Sequence, residues 1–126
     1  MSEEREIIYS QISDIAEQQF SDIVVSCIRV KEKLRLFLID GSFMDIWLSK
    51  KRIGAYGYHW ERGMIDGTIY RYNNFPDSEA RGLKTFPKHF HERDKKIVKE
   101  SYISDDPEEA IREFLEFARK VIKQKK

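Results

Sequence analysis

The first apolar residues of the chain recur at the spacing of a helix. Ile8, Ile12, Ile15 and Phe20 stand three to five residues apart, with glutamate, glutamine and serine between them. This spacing places apolar side chains on one face of a helix, which can then pack against a core. The pattern therefore predicts an amphipathic helix over residues 4–20.

Short apolar runs, several of which alternate with polar residues, follow this helix and predict strands. The predicted strands cover residues 22–31, 34–39, 42–49, 53–61 and 68–73. Asp40-Gly41 separates two of them and indicates a type I′ hairpin turn, in which both central residues have positive φ. Because short turns rather than helices join the runs, we expect an antiparallel meander.

The last third of the chain is expected to begin with a loop and to end with a helix. Two prolines and a glycine interrupt residues 74–94, which are predicted to be irregular. Residues 96–103 predict a short sixth strand. Asp106-Pro107 then supplies the capping aspartate and the first-position proline that commonly open a helix.

These elements predict an α+β fold, with a single antiparallel meander sheet of five to six strands flanked by an N-terminal and a C-terminal helix. The chain has 126 residues and is 40% hydrophobic. This is enough for a modest core, so we expect a single domain over residues 1–126.

The composition favours a cytoplasmic protein. One cysteine, Cys27, cannot form an internal disulfide, and the acidic N-terminus lacks the basic start and apolar centre of a secretory signal. No apolar run approaches the roughly 20 residues of a membrane helix, so we expect no membrane contact. Charged residues make up 36% of the chain, with many lysines and glutamates, a composition associated with thermophilic proteins.

The charge is unevenly spread along the chain. The formal net charge is only +1, but residues 48–99 carry 12 basic and 6 acidic side chains, whereas residues 1–47 carry 5 basic and 9 acidic ones. A basic central segment suits a polyanionic substrate such as RNA. A solvated, lysine-rich surface with no such function would give the same pattern.

All three histidines lie in this basic segment, and they allow two kinds of chemistry. Histidine titrates near neutral pH, so it can move protons or bind metals. His89 and His91 are two residues apart and point the same way in an extended segment, and His59 would complete three nitrogen ligands. One interpretation is therefore a metal-binding hydrolase. No other cofactor is expected.

The other interpretation is acid–base catalysis on RNA, which carries its own nucleophile in the 2′-hydroxyl group. Such a ribonuclease needs a base, an acid and cations that stabilise the charge on the phosphorane. His89 or His91 can supply the first two, and Arg71, Lys84 or Lys88 the third.

Tyrosines near these residues are candidates for stacking on bases, although ordinary strand packing would explain them equally. His59 has a similar alternative, that of a half-buried sheet histidine. The predicted catalytic residues are His59, Arg71, His89 and His91. The predicted substrate-binding residues are Tyr58, Tyr70, Lys84 and Lys88.

Four short motifs, in this order along the chain, resemble one known family. They are Leu38-Ile39-Asp40-Gly41-Ser42-Phe43, Tyr56-Gly57-Tyr58-His59-Trp60, Ile69-Tyr70-Arg71-Tyr72-Asn73-Asn74 and Phe86-Pro87-Lys88-His89-Phe90-His91. Over roughly residues 30–122 the chain is similar to TumE, the toxin side of TumE–TumA toxin–antitoxin pairs. The resemblance implies a small toxin whose partner is a helix-turn-helix regulator that acts as antitoxin.

The chain departs from the family's pattern at two places. The family has paired histidines after the arginine strand, where this chain continues with Phe75-Pro76-Asp77. Lys88 stands where the family's Pro-His-His-x-His segment has its first histidine. The departures leave open a weakened toxin, or a non-catalytic module that binds the regulator.

Overall fold

The sheet is a meander in which every strand pairs with the next one along the chain. In the computed structural model, which describes residues 2–124, all neighbouring strands are antiparallel and their spatial order follows the sequence. The elements are α1 (Ser2–Gln19), β1 (Val24–Val30), β2 (Lys33–Leu38), β3 (Phe43–Leu48), β4 (Tyr56–Arg62), β5 (Thr68–Asn73), a short 3₁₀ turn (Ser78–Ala80), β6 (His89–Arg93), β7 (Val98–Glu100) and α2 (Pro107–Gln124).

The predicted α+β meander between two terminal helices is confirmed, but the predicted strand count is wrong. The sheet has seven strands rather than five or six. The strand that was missed is β6, which pairs with β5 at the end of the predicted loop over residues 74–94. Only Phe90 in β6 is apolar, and it lies between two histidines, so the hydrophobic alternation that marks a strand is missing.

Both helices begin and pack as their sequences indicate. The Asp106 carboxylate accepts a hydrogen bond from the backbone N–H of Glu109 at 3.0 Å, which caps the first turn of α2. In α1, Ile12 and Ile15 are buried in the core. The Tyr9 hydroxyl accepts from the backbone N–H of Leu48 at 3.0 Å and so ties α1 to β3.

The core lies between the helices and one face of the sheet. Trp60 is at its centre, fully buried, with its ring 5.4 Å from that of Tyr70 and 6.4 Å from that of Phe114 in α2. Its indole N–H donates to the Ser42 hydroxyl at 2.8 Å. Buried aromatic rings in these arrangements contribute more than their area alone. In the part of the chain that the structure describes, both helices pack on this face and no helix covers the opposite one.

The turn between β2 and β3 differs from the predicted type I′ turn. Gly41 has φ of +90°, whereas Asp40 is not among the residues with positive φ. Leu38 donates its N–H to Ser42 at 2.9 Å and accepts from the N–H of Gly41 at 3.1 Å. The prediction of two positive φ values is therefore wrong, and the loop has three residues with the glycine last, another common hairpin connection.

We expect Gly41→Val to destabilise the protein by about 1–3 kcal/mol, because a β-branched residue is strained at positive φ. The free energy of unfolding from chemical denaturation measures this loss. Gly82 has open space around it and no positive φ, so Gly82→Val is a suitable control. Equal losses in the two variants would show that backbone strain at residue 41 is not the cause.

Within residues 2–124, no helix is long and apolar enough to cross a membrane.

Candidate active site

Polar side chains cross the open face of the sheet in a single row. Arg35 in β2 pairs with Asp45 in β3, Asp45 with His59 in β4, His59 with Arg71 in β5, and Arg71 with His91 in β6. Residues directly opposite each other on antiparallel strands share a face and lie within contact distance. The fold thus brings together three of the four predicted catalytic residues on the face away from the helices.

A cleft of about 640 Å³ lies over this row. Asp45, His59, Arg71 and His91 all line it, and so does the indole ring of Trp47. Its volume falls within the range of about 300–1,000 Å³ that is typical of small-molecule sites. The row and the cleft together form the candidate active site.

His59 is held as a neutral imidazole by its two neighbours. Arg71 donates its Nε–H to His59 Nδ1 at 3.0 Å, and because an arginine nitrogen only donates, Nδ1 must carry the lone pair. The proton is then on Nε2, which donates to Glu61 Oε1 at 2.9 Å. Burial, together with the Arg71 charge, lowers the pKa of His59 against the opposing effect of Glu61. Both ring nitrogens of His59 are therefore engaged.

His91 has the opposite tautomer and leaves one nitrogen available. Its Nδ1–H donates to the backbone carbonyl of Lys95 at 2.8 Å, so Nε2 carries the lone pair of the neutral ring. Burial lowers the pKa of His91, and the neighbouring His89 and Arg71 lower it further, whereas the hydrogen bond to Lys95 opposes them. The imidazole is consequently a proton acceptor at neutral pH.

Arg71 lies between these two histidines and uses only one of its nitrogens. Its Nε is bonded to His59, and within residues 2–124 the two terminal guanidinium nitrogens make no hydrogen bond to another side chain or carbonyl. An arginine fork of this kind binds phosphate through two parallel hydrogen bonds. The Asp45 carboxylate nearby is already paired with Arg35, at 2.7 and 2.9 Å.

His89 is buried behind the cleft rather than on its wall. Its side chain is 0% exposed, its Nδ1–H donates to the carbonyl of Pro87 at 2.8 Å, and its ring centre is 5.0 Å from that of His91. The Nε2 atom lies 3.4 Å from Asp77 Oδ2 without forming a hydrogen bond. Direct contact between His89 and a substrate stays a prediction, and the packing suits a residue that supports His91.

The two lysines predicted to bind substrate lie outside the cleft. Lys88 donates to the carbonyl of Ile103 at 2.6 Å and lies 3.1 Å from Asp105, which ties it to the segment before α2. Lys84 is exposed on the loop before β6. The cations that do line the cleft, besides Arg71, are Lys33 and Lys95. Lys95 lies only four residues after His91, and this short separation in the sequence could have indicated that it belongs to the same site.

The predicted stacking of Tyr58 and Tyr70 on bases does not fit the structure. These tyrosines are 2% and 4% exposed, respectively, and both face the helices rather than the cleft. The reason is the alternation of strand side chains, since each tyrosine adjoins a residue of the polar row, His59 or Arg71. The aromatic residues at the cleft are instead Phe43, Trp47 and Phe75, which sequence reasoning missed.

The alternative metal site at His59, His89 and His91 does not assemble either. His59 has both ring nitrogens in hydrogen bonds, and a metal would have to displace one of them. Across the part of the chain that the structure describes, no three histidine, cysteine, aspartate or glutamate residues are placed to hold a metal ion. The residues present therefore do not fit that alternative.

A family model described as Toxin TumE matches residues 8–123 of the chain. The match runs from within α1 to the last turn of α2, so it includes every strand and the whole cleft. The resemblance seen in the four short motifs is thereby confirmed. No curated protein and no solved structure matches the chain.

Proposed function

Because the chain belongs to the TumE family of toxins, we propose that this toxin component of a toxin–antitoxin pair is a ribonuclease that acts in the cleft. One observation carries the proposal: the guanidinium of Arg71 lies between His59 and His91, and among the described residues its terminal nitrogens have no hydrogen-bond partner. A neutral imidazole and a cation are two of the groups that cleavage of RNA by its own 2′-hydroxyl requires, the base and the group that stabilises the phosphorane charge.

The proposed reaction uses His91 as the general base. Its Nε2 takes the proton of the 2′-hydroxyl, and the 2′-oxygen attacks the adjacent phosphorus. Arg71 stabilises the charge on the phosphorane, and the Lys95 ammonium, also in the cleft, gives its proton to the leaving 5′-oxygen. The products are a 2′,3′-cyclic phosphate and a 5′-hydroxyl end. His59 is a positioning residue here, since it holds Arg71 through Nδ1.

Cleavage of a mixed single-stranded RNA by the purified chain tests this proposal. We expect wild type to cleave with or without EDTA and His91→Ala to be about 10²- to 10⁴-fold slower, as loss of a general base commonly is. Lys88→Ala is the control, because Lys88 is a cation outside the cleft. RNA that stays intact with wild-type protein would overturn the ribonuclease proposal, and EDTA sensitivity would overturn the metal-free chemistry.

The pH dependence of cleavage should show the lowered pKa of His91. A general base works in its neutral form, so the rate rises with pH as the base loses its proton. Burial lowers the His91 pKa, and we therefore expect kcat/KM to rise through an apparent pKa below the ordinary histidine value of about 6.5. A profile measured from about pH 4 to pH 8 checks this; a rise centred above the ordinary value would contradict it.

The antitoxin partner, we propose, is the helix-turn-helix regulator that the family resemblance implies. Support comes from the family match, which makes an antitoxin the expected partner. Co-expression followed by affinity purification tests it. We expect such a regulator, encoded next to the toxin, to co-purify with His91→Ala as fully as with wild type, because the substitution removes catalysis and leaves the surface otherwise intact. A neighbouring antitoxin of another fold would contradict this proposal.

A further inference from the structure

Trp47 stands on the open face beside the polar row and is one of three aromatic residues that line the cleft. Trp47 in β3 pairs across the sheet with Gly57, and Gly57 with Asn73. Trp47 is two residues from Asp45 and therefore on the same face, about 7 Å further along the strand. Its ring centre is 5.6 Å from that of Phe75, at an interplanar angle of 54°. Both rings line the cleft and are only half-buried.

Gly57 has no side chain, so the surface of the sheet beside the Trp47 indole ring is open. We call this open surface the floor at Gly57. Of the neighbouring atoms, only Trp47 Cε3 would lie near an added Cβ, at the ordinary contact distance of 3.9 Å, and Gly57 does not have a positive φ. The backbone therefore does not require glycine here. A glycine inside a strand weakens the strand and often marks a place where a ligand approaches closely.

A hydrogen-bond donor stands on the other side of this floor. The side-chain oxygen Oδ1 of Asn73 accepts a hydrogen bond from the backbone N–H of Phe75 at 2.9 Å, which fixes the orientation of the side-chain amide. Throughout residues 2–124, the side-chain nitrogen Nδ2 of Asn73 donates no hydrogen bond and is available to a ligand. A flat apolar ring, an open space and a polar donor are thus assembled next to Arg71, the proposed phosphate ligand.

We propose that Trp47, with Phe75 and the floor at Gly57, forms a subsite for one base of single-stranded RNA. The base would stack on the indole ring while its neighbouring phosphate lies at Arg71, and this inference rests on the ribonuclease function proposed above. Stacking on an aromatic ring tolerates any base but requires one that is not already stacked in a duplex. The substrate class is therefore single-stranded RNA with little preference for sequence.

Fluorescence can observe this subsite directly, because the chain has only two tryptophans and Trp60 is in the core. The probe is a short 2′-O-methyl RNA strand, which has bases and phosphates but no nucleophile. We expect saturable quenching of Trp47 in wild-type protein, and the same in Trp60→Phe, where Trp47 is the only tryptophan. Ribose 5-phosphate, which lacks a base, should not quench. An unchanged emission with bound RNA strand would overturn the subsite.

Two substitutions test the same point without fluorescence. Trp47→Ala should weaken binding of the RNA strand by about 5- to 150-fold, the range that one stacked base contributes. Gly57→Val should weaken it comparably by filling the floor, and a β-branched residue suits a strand. Trp47→Phe, which keeps a ring, is the control and should bind nearly as wild type does. Trp47→Ala that binds as tightly as wild type would contradict the proposal even if Gly57→Val failed to fold.

The two proposals fail in different ways. Wild-type protein that binds the 2′-O-methyl strand with Trp47 quenching, yet leaves ordinary RNA intact, would overturn the ribonuclease function and support the base subsite. Wild-type protein that cleaves RNA, with Trp47→Ala cleaving equally well at low substrate concentration, would support the ribonuclease and overturn the subsite.

Discussion

Arg71→Ala is expected to slow RNA cleavage by about 10²- to 10³-fold, as removal of one preorganised group that stabilises transition-state charge does in other enzymes. The melting temperature should change little, because the side chain is partly exposed and, within residues 2–124, hydrogen-bonded to His59 alone. Single-turnover cleavage beside a thermal melt measures both quantities. Arg71→Lys should remain impaired, because a lysine has no planar fork to bind phosphate with two hydrogen bonds.

Arg35 provides the matched control for this experiment. It lies in the same row and on the same face, but its guanidinium is bonded to Asp45 rather than lining the cleft. We expect Arg35→Ala to retain cleavage within about tenfold of wild type, since the reaction needs no group from Arg35. If Arg71→Ala cleaved as fast as wild type, or if both substitutions gave the same loss, the role proposed for Arg71 would be wrong.

Arg62→Ala is expected to reduce the free energy of unfolding by about 3–5 kcal/mol, the usual cost of removing one partner of a buried ion pair. Arg62 is 2% exposed, and its Nη1 lies 2.6 Å from Asp40 Oδ2. Its guanidinium also stacks over the Trp60 ring at 4.6 Å. Without Arg62, the partly buried Asp40 carboxylate loses its bonded cation and the core loses packing. Urea denaturation measures the cost.

Arg119 makes similar contacts at the surface and is the control for Arg62. Its guanidinium is also 4.6 Å from an aromatic ring, that of Phe20, and it pairs with Asp22 at 2.7 Å. Both partners of this pair are considerably more exposed. An exposed ion pair contributes little, so Arg119→Ala should cost about 1 kcal/mol or less. Equal costs for the two substitutions would show that burial is not what makes the Arg62 pair important.

The Asp40–Arg62 ion pair also makes the free energy of unfolding depend on pH in the acid range. Burial raises the pKa of Asp40, but hydrogen bonds from Ser42 and Arg62 outweigh it, so the folded pKa lies below the ordinary value. A carboxyl group with a lowered folded pKa stabilises the fold above its unfolded pKa of about 4, and this contribution is lost as the pH falls through the folded pKa. The contribution should be smaller in Arg62→Ala.

The helices and most strands could be predicted because their hydrophobic patterns are strong. The stripe of α1, the Asp106 cap of α2 and the alternation in β4 each appear in the structure. The strand β6 could not be found in this way, because four of its five residues are polar or charged. Its histidines face the side of the sheet away from the helices, where no apolar pattern is required.

The site was harder to predict than the fold because it depends on register. A two-residue Asp40-Gly41 turn would have paired Ile39 with Ser42, and this pairing would set Arg35 opposite Ile46. The observed three-residue loop sets Arg35 opposite Asp45 instead and so puts this ion pair on the open face. The sequence named His59, Arg71 and His91 as candidates, but the Arg35–Asp45 ion pair at the end of their row follows from this one-residue difference.

The paths of loops also could not be read from the sequence. The positions of Lys84 and Lys88 near the histidines suggested a shared site, yet the chain between β5 and β6 carries both away from the cleft. Trp47 lies on a different strand from the histidines but reaches their cleft through its pairing with Gly57, two residues before His59. Proximity in the sequence was therefore a poor guide for Lys84 and Lys88.

The chemical ends of the RNA fragments give the most direct test of the proposed active site. Attack by the 2′-hydroxyl, with His91 as base and Arg71 beside the phosphate, must produce a 2′,3′-cyclic phosphate and a 5′-hydroxyl. We expect these ends with wild-type protein, and no cut at a position that carries a 2′-O-methyl group. Fragments with a 3′-hydroxyl and a 5′-phosphate, or a cut at the blocked position, would show that water is the nucleophile and would contradict the proposed roles of both residues.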